Sequence, residues 1–184
     1  RVKDINMAKR MSYHVLSQIL EYQLNLKFFQ KAQIHKMWKE GMQFQRPVKL
    51  NKQIKVGILG TGFLGMYVGK FLKKLGYDVI GFKRTAIKGK TTFPIFLNKD
   101  LNNFIEMSNI IVSILPATKN TNNFIDKKFL KKMKNDSLLI NVGRGHSINE
   151  LDLIFHIQKN KNFFASLDVF KDEPLSKNSP LWKM

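Results

Sequence analysis

The sequence predicts an α/β fold: a parallel sheet wound on both faces by helices, with a long helical segment in front of it. Three observations predict this. Short β-branched runs alternate with amphipathic stretches from residue 54 onward, the pattern of successive strand–helix–strand units. Those runs are apolar along their whole length rather than at every second position, as strands covered on both faces require. A glycine-rich turn joins the first run to the helix after it.

Residues 6–38 read as one or two helices. Met7, Met11, Val15 and Ile19 recur at helical spacing, Leu16 and Leu20 lie beside them, and Phe28, Ala32 and Ile34 follow, with no Gly or Pro interrupting. Gly41 and Pro47 end the stretch, so 41–53 reads as a connecting loop. The expected organisation is a helical segment and loop over 1–50 and a sheet domain over 51–184. Within the latter, five strands are expected at 54–59, 79–82, 109–115, 137–142 and 163–168. Helices are expected at 63–75, closed by Gly76, and at 100–107, 126–133 and 149–160.

The 184 residues hold 32 Lys+Arg against 13 Asp+Glu, a net charge of +19, and 43% are hydrophobic. That apolar content supports a core and excludes wholesale disorder. The absence of cysteine excludes a disulfide scaffold, a zinc–thiolate centre and a cysteine nucleophile, and no metal site is expected. No run approaches the roughly 18 apolar residues of a membrane span, and Arg1-Val2-Lys3-Asp4 does not open a signal peptide, so a cytoplasmic location is expected. The first residue is not Met and the last are Trp182-Lys183-Met184, which reads as part of a longer protein. The charge raises nucleic acid as a partner. However, arginine occurs only at Arg1, Arg10, Arg46, Arg84 and Arg144, and the lysines are dispersed apart from Lys127-Lys128 and Lys131-Lys132-Met133-Lys134. A generic basic surface that draws anionic ligands is expected instead.

The sharpest motif is Gly60-Thr61-Gly62-Phe63-Leu64-Gly65, a G-x-G-x-x-G between a predicted strand and a predicted helix. Gly60 permits the tight turn, Gly62 lets the backbone approach a diphosphate, and Gly65 lets helix and strand pack closely. The helix starting at Phe63 and Leu64 directs free N–H groups and its positive end at the phosphates. This predicts a dinucleotide-binding, Rossmann-type doubly wound sheet. About twenty residues on, an NAD-binding unit places an acid for the ribose 2′-hydroxyl. Here the strand ends Gly81-Phe82-Lys83-Arg84-Thr85, with no acid. Lys83, Arg84 and Thr85 suit a 2′-phosphate, so NADP(H) is expected over NAD.

Three further segments close predicted strands at the edge where such folds bind ligands. They are Leu115-Pro116-Ala117-Thr118, Asn141-Val142-Gly143-Arg144-Gly145 and Leu167-Asp168-Val169-Phe170-Lys171-Asp172-Glu173-Pro174. Together with the glycine turn, in this order, they resemble the nucleotide-binding domain of the D-isomer-specific 2-hydroxyacid dehydrogenases, over about 4–184, and most of all the branch that reduces glyoxylate and hydroxypyruvate. The resemblance implies that Arg144 binds the substrate's carboxylate and carbonyl oxygen and that Glu173 pairs with a catalytic histidine. It puts Asp168 near the nicotinamide carboxamide, Leu115, Pro116 and Thr118 beside the nicotinamide and its ribose, and Val142 and Gly143 along the cofactor. Gly143 stands where the family commonly carries Ala.

In the family the general acid is a histidine after a Pro beyond the Pro-Leu-Trp ending, and this sequence stops at Met184 before such a position. Of the histidines present, His14, His35 and His156 sit in helical patterns; only His146, two residues after Arg144, could substitute as a donor. The resemblance also implies a small 2-oxo or 2-hydroxy acid substrate and a homodimer built on the 6–38 segment, whose stripe serves equally as a lid on the chain's own sheet. Alternatives of other kinds are a dinucleotide-sensing, corepressor-like binding protein and a dehydrogenase of another 2-hydroxy acid.

Overall fold

The computed structural model describes residues 4–38, 48–85 and 89–183. Helix α1 (Ile5–Gln23) opens under the cap of Asp4, whose carboxylate accepts from the N–H groups of Asn6 and Met7 at 2.8 and 3.0 Å. It ends where Asn25 turns left-handed, at φ 56°, and α2 (Leu26–Ile34) begins there. Asparagine tolerates that conformation better than most residues, so the helical segment divides with neither Gly nor Pro. The sheet region then runs β1 (Lys55–Leu59), α3 (Phe63–Lys74), β2 (Asp78–Phe82), β3 (Ile95–Phe96), α4 (Leu101–Met107), β4 (Ile110–Ser113), α5 (Lys127–Lys132), β5 (Ser137–Asn141), α6 (Glu150–Lys159) and β6 (Phe163–Leu167).

All neighbouring strands are parallel, in the order β3-β2-β1-β4-β5-β6. This is the Rossmann-type doubly wound sheet. Strand order reverses between β1 and β4, which opens a crevice beyond their carboxyl ends. Val56, Ile58, Val112 and Ile140 point to one face, where they meet Val68 and Leu72 of α3 and Val15 and Ile19 of α1. Leu59, Ile111 and Leu139 point to the other, against Phe104 of α4, Phe129 and Leu130 of α5 and Leu153 of α6. Each fully buried aliphatic side chain contributes roughly 1.5–3 kcal/mol, so Val15 and Ile19 bind α1 firmly to the sheet.

Among the described residues, six strands form where five were expected. The extra one, β3, is two residues long and follows Pro94, too short to leave a periodic trace. The expected loop at 41–53 lies largely outside the described residues; its last part, Asn51–Gln53, is a 3₁₀ turn. The stripe of α1 is also split. Ala8, Ser12, Val15 and Ile19 are buried, while Met7 is half exposed and Met11 only partly buried. Packing against α3 and the sheet buries the face offset by one residue from Met7, the face that carries the small residues Ala8 and Ser12 with Val15 and Ile19.

Candidate functional site

Three loops converge at the switch point. The backbone of Ile114 and Leu115 lies against both glycine turns: a Cβ on Gly60 would stand 2.8 Å from the Ile114 carbonyl oxygen, and one on Gly143 would stand 2.7 Å from that of Leu115. Gly60 also adopts φ +105°, which side chains disfavour. A Cβ on Gly65 would sit 2.0 Å from the Gly60 carbonyl oxygen, so this glycine is what lets α3 start against the turn. At Gly62, by contrast, a Cβ would meet nothing within 4 Å.

The cradle therefore fits a diphosphate. Its outer face is open at Gly62, no side chain caps α3, and no acid occupies the first turn, so the leading N–H groups of Phe63 and Leu64 are free to receive an anion. Thr61 is 4% exposed, with a hydroxyl lacking a hydrogen-bond partner among the described residues. Beyond β2, Lys83 is half-buried and Arg84 and Thr85 are exposed. The β3 strand that the sequence concealed fixes this end: Lys83 N–H donates to the Phe96 carbonyl at 3.0 Å.

On the other side of the crevice, Leu115 and Val142 are buried and Pro116 is exposed. The Thr118 hydroxyl is engaged within its own turn, 2.9 Å from that of Thr121. Arg144 is exposed and has no carboxylate within ion-pair distance among the described residues. One guanidinium nitrogen donates to the Gly143 carbonyl at 2.7 Å, which leaves the remaining donors without a partner among the described residues. Asp168 follows β6 and is exposed, its N–H donating to the Asn141 carbonyl at 3.0 Å. Glu173 is exposed, and its carboxylate accepts from the Phe170 N–H at 2.9 Å, within its own loop. That loop is tied down by Glu150 at the start of α6, which accepts from Lys171 N–H at 2.8 Å. His146 is exposed on the 3₁₀ turn after Arg144, its carbonyl accepting from Asn123 N–H at 2.8 Å.

Sequence reasoning missed two features. Helix α1 runs antiparallel to the strands, and Met7, Arg10, Met11 and His14 line a groove with Val142 and Asp168. Their spacing marks one helix face, but only packing shows that it looks toward the carboxyl ends of β5 and β6. The other is Asn141, a buried amide ending a strand that is otherwise Leu-Leu-Ile after Ser137; a polar residue in that place was the available signal.

The fold and this crevice define a nucleotide-binding domain, and comparison with known proteins identifies the kind. Residues 16–184 match the family model described as D-isomer specific 2-hydroxyacid dehydrogenase, NAD binding domain; the chain belongs to that family. It is 30% identical over 182 residues to glyoxylate/hydroxypyruvate reductase A of Photorhabdus laumondii, covering 99% of this chain and 56% of that protein. Among solved structures it resembles a D-isomer specific 2-hydroxyacid dehydrogenase of Xanthobacter autotrophicus in complex with NADPH and MES (TM-score 0.90, 32% identity, 100% of this chain and 74% of the other). It likewise resembles the NADPH-dependent glyoxylate/hydroxypyruvate reductase of Sinorhizobium meliloti in complex with NADP and sulfate (TM-score 0.88, 27% identity, 98% and 57%). The chain thus spans little more than half the length of the curated relatives it matches. Among the described residues, no helix is long and apolar enough to cross a membrane.

Proposed function

We propose that this chain is the coenzyme-binding part of an NADP(H)-linked reductase of a small 2-oxo acid such as glyoxylate or hydroxypyruvate. The observation that carries this is the convergence of the 60–65 cradle and the Arg144 turn on one peptide, Ile114-Leu115, at the switch point. The cradle backbone and α3 hold the diphosphate, while Lys83, Arg84 and Thr85 surround the 2′-phosphate. When bound, the nicotinamide supplies the hydride. Arg144, which has one guanidinium nitrogen on the Gly143 carbonyl and no carboxylate partner among the described residues, clamps the substrate carboxylate and polarises the C2 carbonyl as hydride reaches C2 and a proton reaches its oxygen. Leu115 and Val142 wall the cofactor on the sheet side, and Asp168 meets the carboxamide. The proton donor is the histidine that the family resemblance implies, with Glu173 behind it.

Relatives solved with NADPH and NADP and the lack of an acid after β2 support NADP(H). Titrating the protein with NADPH and NADH, followed by nicotinamide fluorescence, tests this: tighter NADPH binding is expected, and equal or NADH-favouring affinity overturns the assignment to Lys83 and Arg84. A cytoplasmic homodimer is part of the same proposal. Exposed Leu20, Leu24, Leu26 and Phe29 along α1 and α2 support the dimer, which sedimentation would detect as twice the chain mass.

A further inference from the structure

A buried amide must find partners, and Asn141, 0% exposed, finds both in the turn that follows it. Its Oδ1 accepts from Gly143 N–H at 3.2 Å and its Nδ2 donates to the Arg144 carbonyl at 3.2 Å. Ser147 donates to the same carbonyl through its hydroxyl at 2.7 Å and its N–H at 3.1 Å. The carbonyl of Asn141 itself accepts from Asp168 N–H at 3.0 Å. One residue therefore touches the backbone on both sides of the Cα of Arg144 and the start of the loop that carries Asp168 and Glu173. The Arg144 backbone is over-determined while its guanidinium, among the described residues, has a single tie, to its neighbour's carbonyl.

We propose that Asn141 is a positioning residue for the reaction, holding Arg144 and Asp168 in one frame so that the guanidinium meets the substrate at a fixed place above the cofactor crevice. This rests on the reading of Arg144 as the substrate clamp. The amide suits the task because one group must both accept from an N–H and donate to a carbonyl. Aspartate keeps the acceptor but sets a carboxylate against the Arg144 carbonyl, and alanine removes both bonds.

The test titrates the NADPH-saturated protein with oxamate, a non-reacting analogue of a 2-oxo acid, in the parent, Asn141→Ala, Asn141→Asp, Arg144→Ala and the Asn141→Ala/Arg144→Ala double variant. NADPH affinity is measured for each. Misplacing a positioned group costs up to about a hundredfold, so the Asn141 variants are expected to lose about tenfold in oxamate affinity with NADPH affinity unchanged. The double variant is expected to be no weaker than Arg144→Ala, because the two residues act through one contact. Unchanged oxamate affinity in the Asn141 variants, additive losses, or a parallel loss of NADPH affinity overturns the proposal. Should Arg144→Ala bind oxamate like the parent, or the parent bind none, it is the clamp reading that fails, and the proposal falls with it. If the Asn141 variants do not fold, Ser147→Ala relaxes the same carbonyl: a smaller, again non-additive loss is expected, and parental affinity is disproof.

Discussion

The turns after β1 and β5 stand on either side of the same Ile114-Leu115 peptide, and both depend on a glycine that leaves no room for a Cβ. They use that closeness differently. The first runs straight into the twelve-residue helix α3 and offers backbone N–H groups, so its chemistry needs no side chain. The second runs into a three-residue 3₁₀ turn and offers one long side chain, so its precision has to come from elsewhere, namely the amide of Asn141. A backbone site is specified by where side chains are missing; a side-chain site is specified by what holds its root.

Substitutions can break or sharpen this contrast. The largest effect is expected for Gly65→Ala, whose Cβ would stand 2.0 Å from a carbonyl oxygen. Overpacking of that kind costs about 3 kcal/mol, or roughly 6–12 °C in melting temperature at this chain length, with loss of NADPH binding. Gly62→Ala sharpens the point: with open space around it, the melting temperature should hold while NADPH titration shows weaker binding. Gly143→Ala, 2.7–2.8 Å from the Leu115 backbone, should cost about 2 kcal/mol, roughly 4–8 °C. Thermal denaturation measures both glycine losses, and unchanged melting in Gly143→Ala would show that the two turns are not braced on one peptide. Arg84→Ala should leave melting untouched and weaken NADPH about tenfold, the worth of one charge-assisted hydrogen bond, with NADH affinity unaltered in the paired titration.

The smallest effect lies in α6, which follows the second turn. His156 stacks edge-on against Phe163 with centroids 4.5 Å apart, and burial pushes its pKa below the ordinary 6.5. The folded state therefore prefers neutral imidazole. Well above pH 6.5 both states are neutral and the contribution is complete. As pH falls from 6.5 toward the lowered folded value, the unfolded chain takes the proton first and stability declines. Urea unfolding between pH 7.5 and 5 should show this slope, and His156→Leu should flatten it; an identical slope in the variant would assign it to other groups.

Much of the fold was legible because its signals are local. Apolar runs, the glycine spacing and the polar residues at helix starts each act within a few residues, and β1, α3, β2, β4, β5 and β6 emerge close to their expected limits. The two-residue β3 was not legible, since its pairing with Gly81 and Phe82 carries no periodicity. Nor was the break at Asn25, where the left-handed residue is not a glycine. At the site, the residue types were visible but not their engagements: Thr118 and Glu173 spend their side chains inside their own loops, and Asn141 was read only as part of the segment that closes a strand.

By itself, then, the sequence determined the alternation that yields a parallel sheet and the backbone-only cradle, because steric rules and periodicity are written in neighbouring residues. Tertiary structure alone decided which face of α1 meets the sheet, that Arg10 and His14 look toward β5 and β6, and that Asn141 roots Arg144 and Asp168 together. Such arrangements depend on groups far apart along the chain, as in the hydrogen bond from Ser166 to Gln18 across 148 positions. No local pattern encodes a meeting that exists only once the sheet has closed around it.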